Sequence, residues 1–251
     1  MPVIELDEAW SIKGHLNGGY LAAVAGQAAS EFFDGAPVLT ISAHYLEVAR
    51  GSGPADLEIT ALRTGRLSTA RLALSRGNIA LAEFIVTVGL PRANEVRIDD
   101  IDPFDGPGWE DCVEPGPAWS GPGMELLDTL HNRLKPSDGA AMLGGNASVH
   151  PVVNGWVSYR DERPVDPFLV MASWDVLPPT IWCMGIPGNV PTVAAQIALY
   201  PGDIVGRLAS RVSGHYLRDG IMDETAVVWD ESGRVCATSR QTAIYVPPRE
   251  G

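Results

Sequence analysis

Gly18 and Gly19 stand together where an Ala-rich run, about Gly18 to Phe33, begins. The first amides of a helix have no acceptor within the helix and lie at the positive end of its macrodipole. Because glycine lacks a Cβ, a carbonyl oxygen that gains negative charge in a reaction can come close to such amides and be stabilised there. The same pair also suits an ordinary turn. Other reactive residue types are scattered. His15, His44, His131, His150 and His215 have no metal-ligand spacing, so no metal site is expected. Cys112, Cys183 and Cys236 stand too far apart for a zinc site or a disulfide framework, which fits a reducing cytoplasm. The Gly-x-Ser-x-Gly elbow, the Gly-x-x-x-x-Gly-Lys loop, Gly-x-Gly-x-x-Gly and His-Glu-x-x-His are all absent from the sequence.

These residues need elements to hold them. In the first run Leu21, Ala25, Ala28 and Phe32 recur every three or four residues, which predicts a helix that ends at Asp34-Gly35. Its small side chains let neighbours pack close on several sides. The period then changes: Val38 to Val48, Ala55 to Leu62, Thr69 to Leu74 and Ile79 to Leu90 read as strands, with Gly77-Asn78 placed as a hairpin turn. From Arg92 to Gly123, prolines such as Pro103, Pro107, Pro115, Pro117 and Pro122 alternate with glycines and acids, as in a linker or a loop laid over the surface. Structure resumes at Met124 to Leu134 and Ala147 to Tyr159, and Asp166 to Trp174 reads as a second, shorter helix stopped by Pro178-Pro179. Four further strand-like runs follow: Thr192 to Leu199, Ile204 to Ser213, Tyr216 to Trp229 and Arg234 to Val246.

The second half therefore repeats the rhythm of the first. Pro37 and Pro191 are 154 positions apart, and the turn glycines Gly77 and Gly233 are 156 apart. Two tandem copies of one α+β unit are expected, over residues 1–92 and 124–251, with 93–123 as the link. The composition excludes other classes. Lys plus Arg number 18 against 31 Asp plus Glu, a formal net charge of −13 that disfavours nucleic acid or an anionic membrane as main partner. No run approaches the roughly 18 apolar residues of a membrane span, and MPVIELDEAW lacks the basic start of a signal peptide.

The segment Asn17-Gly-Gly-Tyr-Leu-Ala-Ala23, then Leu62-Arg-Thr-Gly-Arg66 with Ser68-Thr-Ala-Arg71, Ala172-Ser-Trp-Asp-Val-Leu-Pro178, Pro191-Thr192 and Ser239-Arg-Gln241 together resemble the acyl-CoA thioesterase II family across almost the whole chain. The resemblance implies a double hotdog fold, in which two long helices are each wrapped by an antiparallel sheet. It also implies hydrolysis of an acyl-CoA or acyl-pantetheine thioester by an activated water, with Asp175, Thr192 and Gln241 as the catalytic set. No cofactor would be needed beyond the coenzyme A of the substrate. In that setting the amides of Gly18, Gly19 and Tyr20 become the oxyanion donors. Arg66, in the densest basic stretch with Arg63 and Arg71, becomes a candidate for the coenzyme A phosphates, although such arginines also pair with surface carboxylates. Open sheet edges imply a homodimer or larger homo-oligomer.

Taken singly, Asp175 can also end its helix, Thr192 can open a strand and Gln241 can sit on an exposed strand face. Trp174 stands as an insertion before Asp175, so the same fold could also bind an acyl-CoA or another lipid-like ligand without turning it over; the strand after Thr192 lacks the Asp-His pair of well-known members, so the site could admit a different acyl chain. A hydratase would want a catalytic His beside an acid, and none adjoins Asp175. Trp174 and Trp182, two of seven tryptophans, flank Asp175 and suit either a tunnel wall or the core. The position 156 residues before Gln241 is Ile85, so one site per chain is expected.

Overall fold

The computed structural model describes residues 3–91, 98, 100–114, 123–142 and 145–248. The chain opens with the strand β1 (Val3–Leu6), a 3-10 turn at Glu8–Trp10 and the short pair β2 (Ser11–Ile12) and β3 (His15–Leu16). Helix α1 (Gly18–Phe32) follows. Asn17 begins it by accepting the Tyr20 amide on its side chain, satisfying one of the orphan donors of the first turn. The strands β4 (Val38–Tyr45), β5 (Gly53–Arg63), β6 (Leu67–Arg76) and β7 (Ile79–Gly89) complete the first half. The second half holds α2 (Leu126–Thr129), β8 (Leu130–Leu134), β9 (Val152–Tyr159), α3 (Pro167–Ala172), α4 (Thr180–Cys183), β10 (Thr192–Leu199), β11 (Leu208–Arg218), β12 (Ile221–Asp230) and β13 (Val235–Ile244).

Eleven strands form one antiparallel sheet in the order β1-β5-β6-β7-β4-β10-β13-β12-β11-β9-β8. The order is nearly symmetric about the β4–β10 seam, where Ile41 faces Ile197 and Ala43 faces Ala195. Each half thus contributes to the seam the strand that follows its central helix and wraps the others outward. This is a double hotdog, an α+β fold, and its core runs across both halves. The repeat extends to irregularities: β4 is bulged between Val38 and Thr40, and β10 between Thr192 and Ala194.

The helix α1 is buried at Ala22, Ala23, Ala25, Gly26 and Ala29. A Cβ on Gly26 would lie 2.4 Å from the Met171 sulfur, so glycine lets α3 of the other half close on this helix. The second central helix is not long. α3 spans six residues and continues as a 3-10 turn, Ser173–Asp175, before Pro178-Pro179 and the four-residue α4, which the sequence pattern did not mark. Tightening to 3-10 geometry lets the chain turn at Asp175 rather than carry it onward along a helix face.

Residues 93–97, 99 and 115–122 of the expected link, with Pro115, Pro117 and Pro122, lie outside the described residues. The part around Pro103 and Pro107 packs on the second half. Phe104 meets the rings of Trp156 and Trp229, and the Trp156 indole donates to the Pro107 carbonyl at 2.8 Å. Among the described residues no helix is long and apolar enough to cross a membrane.

Candidate active site

Asp175 is carried by the 3-10 turn at the end of α3 to the N-terminus of α1 in the other half. Its Oδ2 accepts from the Gly19 amide and from Asn17 Nδ2, both at 3.0 Å, and Asn17 Nδ2 also donates to the Asp175 carbonyl at 2.8 Å. The glycines are what permit this approach. A Cβ on Gly18 would meet Asp175 Oδ2 at 3.0 Å, and one on Gly19 would meet the Ala172 carbonyl oxygen at 2.3 Å. Tyr45 closes the other side, donating its hydroxyl to the Gly18 carbonyl at 2.6 Å.

Two tendencies oppose each other at this carboxyl. Burial raises it; the amides of Gly19 and Gly18 and the Asn17 side chain favour the charged form, while the negative charge of Glu224 disfavours it. Burial prevails, and the Asp175 carboxyl is pushed up to about 7. Burial also raises the Tyr45 hydroxyl, which keeps its proton for Gly18.

Thr192 opens β10, the strand after the second half's helices, and Gln241 lies on the last strand, β13. Gln241 faces Ala195 across the β10–β13 ladder and Glu224 across the β12–β13 ladder. The bulge after Thr192 inserts one residue, so Thr192 shares the inward face with Ala195 instead of facing out as strict alternation would require. The Thr192 hydroxyl then donates to Gln241 Oε1 at 2.7 Å, and Gln241 Nε2 donates to Glu224 Oε2 at 3.0 Å. Glu224 Oε1 in turn accepts from the Thr180 amide at 2.8 Å and the Thr180 hydroxyl at 2.6 Å.

Asp175, Thr192, Gln241, Glu224, Asn17 and Gly18 line one cavity of about 510 Å³. Its walls are mainly apolar, with Leu21, Leu126, Leu134, Met142, Leu177 and Val212 among them, and Trp174 and Trp182 both line it. The exposed residues Lys13 and Val193 also border it, so it opens to solvent. With Oδ2 held by α1, the Asp175 Oδ1 is the oxygen available to a guest in the cavity.

The structure brings together Gly18, Gly19, Asp175, Thr192 and Gln241, and it changes the part played by some of the others. The Gly18, Gly19 and Tyr20 amides do not stand open for an oxyanion. The second donates to the Asp175 carboxylate and the third to Asn17 Oδ1, while the first stands beside that carboxylate and favours its charged form, because the helix N-terminus attracts the nearest negative oxygens. Arg66 is not at the site. It stands exposed between β5 and β6, outside the cavity lining, where the hairpin that carries it leaves it in solvent. Arg71 is paired with Glu83 through two hydrogen bonds at 2.8 and 2.6 Å. Among the described residues, Lys13 is the Lys or Arg that borders the cavity, with Nζ 5.1 Å from the Trp182 ring centroid. His44 is exposed on β4.

The alignment of Gln241 with Ile85 is corrected by the ladders. Ala70 faces Val86 in the first half as Glu224 faces Gln241 in the second. Val38, Ala70 and Val86, all buried, thus stand where Thr192, Glu224 and Gln241 stand in the other copy, while Ile85 faces outward. Among the described residues the polar set occurs once per chain.

Asn17 and Glu224 are among the site residues that the sequence reading does not single out. Asn17 has the type and place of an N-cap, which says nothing of a carboxylate arriving from 158 residues away. Glu224 did leave a signal: Met222, Glu224, Ala226 and Val228 alternate on the buried face of β12, and one acid in such a stripe needs a polar reason to be there. Among the described residues no group of three or more His, Cys, Asp or Glu side chains could hold a metal ion.

Comparison with known proteins places this geometry in context. An uncharacterised Mycobacterium tuberculosis protein is 25% identical over 274 aligned positions, covering 96% of this chain and 89% of its own. A solved protein of Thermobifida fusca, provisionally named a thioesterase II, is 25% identical with a TM-score of 0.84, covering 97% of this chain and 91% of its own. The TesB protein of Mycobacterium avium subspecies paratuberculosis shares the fold with a TM-score of 0.77 at 18% identity, over 98% of this chain and 93% of its own. Family profiles for the acyl-CoA thioesterase N-terminal and C-terminal domains match residues 6–89 and 99–245. With both profiles matched in order over two halves that meet at one cavity, the chain belongs to the acyl-CoA thioesterase family.

Proposed function

We propose that this protein hydrolyses a fatty-acyl or related acyl-CoA thioester to the free acid and coenzyme A, using water activated by Asp175. The observation that carries the reading is a carboxylate poised near neutral pH at an apolar cavity shared with Thr192 and Gln241. A water between Asp175 Oδ1 and Thr192 gives one proton to the carboxylate as its oxygen bonds to the thioester carbon. The tetrahedral intermediate then expels the coenzyme A sulfur, which takes that proton, and Asp175 is regenerated. Gln241 holds Thr192 in place, the apolar walls suit an acyl chain, and Lys13 suits an anionic group near the opening. The chemistry needs no cofactor beyond the coenzyme A of the substrate. We expect the protein to act in the cytoplasm as a homodimer or larger assembly, which sizing in solution tests. The activity is tested by thiol release from acyl-CoAs of graded chain length.

The base works only when deprotonated. kcat/KM is therefore expected to rise about tenfold per pH unit below about 7 and to level off above it. A profile flat from pH 5 to 9 would remove Asp175 as the base. Asn17→Ala loses both the helix cap and the clamp on Asp175. Unfolding experiments should show a loss of about 1 kcal/mol, and kcat should fall about tenfold at pH 8.

A second reading, acyl-CoA binding without turnover, is favoured by one observation: the first amides of α1 are occupied by Asp175 and Asn17 rather than open to an oxyanion. Saturable acyl-CoA binding with no thiol release across the panel would establish it.

A further inference from the structure

Resting on the hydrolytic reading of the site, we propose that Glu224 is a positioning residue that sets the direction of the hydrogen bonds reaching Thr192, so that the Thr192 oxygen accepts a proton of the attacking water. The argument starts from Thr180. Its backbone N–H can only donate, and together with its hydroxyl it donates to Glu224 Oε1. The Glu224 side chain is buried, is met by three donors, and has no cation partner among the described residues. Burial raises the Glu224 carboxyl, while the Thr180 and Gln241 donors favour its charged form; in that form it only accepts, so Gln241 turns its NH2 toward Glu224 and its oxygen toward Thr192. The Thr192 hydroxyl then spends its proton on Gln241 Oε1. What remains on Thr192 Oγ1 is lone pairs, and a water in the cavity must donate to them.

The consequence is orientational. A water whose two protons point at Asp175 and Thr192 directs its own lone pair elsewhere, toward a carbonyl carbon seated in the cavity. With the chain reversed, Thr192 would donate to the water and compete for that lone pair. The site would keep every side chain in place and lose the alignment. The apolar trio Val38, Ala70 and Val86 at the matching positions of the first half fits this reading, since nothing there has a direction to hold.

Glu224→Gln tests this with almost no change of shape. The oxygen of the introduced amide must face the Thr180 N–H, so its NH2 faces Gln241. That forces the Gln241 amide to flip and reverses the chain at Thr192. On the plateau above pH 8, kcat is expected to fall about tenfold with KM changed less than about threefold. Adding Thr192→Val to Glu224→Gln should cost far less than Thr192→Val costs in the wild type. The exchange Glu224→Gln with Gln241→Glu restores the original direction, because the NH2 introduced at position 224 meets an acceptor and the side chain at position 241 again accepts from Thr192. That pair should recover kcat above Glu224→Gln alone, and it still reports if Glu224→Gln folds poorly. A kcat for Glu224→Gln within about threefold of wild type, additive losses with Thr192→Val, or an exchange no better than the single variant would each overturn the proposal. Loss of activity in Asp175→Asn and Thr192→Val alongside those results would leave the hydrolytic reading standing. Full activity in Asp175→Asn would sink that reading instead.

Discussion

Asp175→Asn is expected to lower kcat on the best acyl-CoA by about 10³-fold while making the folded protein more stable at alkaline pH. The two effects share one cause. In the folded chain the carboxyl titrates at about 7, against 3.8 for the free group. Between those values the folded protein keeps a proton that the unfolded chain has released. Stability therefore falls as pH climbs from about 4 to about 7, and it stays lower above that. The cost at full ionisation is at most about 4 kcal/mol.

Asparagine cannot ionise, yet its oxygen can still accept from the Gly19 amide and from Asn17. The variant should match the wild type in stability at pH 4 and exceed it increasingly toward pH 8. Thermal or denaturant unfolding across that range reads the gap directly. A gap that stays constant with pH would show that Asp175 is not held against its tendency to ionise, and retained turnover would show that it is not the base.

Gly19→Ala is expected to damage both fold and activity, although it adds only a methyl group. The new Cβ would lie 2.3 Å from the Ala172 carbonyl oxygen and 3.0 Å from the Asp175 Cβ. Neither neighbour is the loose end of a side chain, so backbone must move, and the segment that moves carries the carboxylate. We expect a loss of about 1 to 3 kcal/mol in stability and about 10²-fold in kcat/KM. Gly108→Ala, whose Cβ would meet nothing closer than Asp111 Oδ2 at 3.7 Å, serves as the control. If Gly19→Ala unfolds and turns over like the wild type, α1 and α3 do not need the close approach seen here.

Glycine at 18 and 19 thus does something other than the sequence pattern implied. The pair was legible as a helix start stripped of Cβ atoms, and it is one. Its use follows from what the other half brings to it. Composition and periodicity could place α1, the four long strands of the first half and the repeat of 154 to 156 residues, because those features arise from local alternation and turn chemistry; in the second half the turn expected near Gly214-His215 lies at Asp219-Gly220.

Contacts across the seam were not legible in that way. The clamp of Asn17 on Asp175 joins residues 158 positions apart. The inward turn of Thr192 depends on a one-residue bulge, which leaves no mark in an alternating strand. Arg66 and Lys13 exchange relevance for the same reason: a basic residue type is visible in sequence, whereas its distance from a cavity depends on which hairpin carries it. Residue types and the repeated unit were therefore decided by the chain alone. Tertiary structure decided which oxygens the helix amides hold, which acid lies buried beside Gln241, and that the three matched interior positions are polar in the second copy and apolar in the first. Those outcomes depend on strand register and on burial shared between distant segments, and neither is a property of any local stretch of residues.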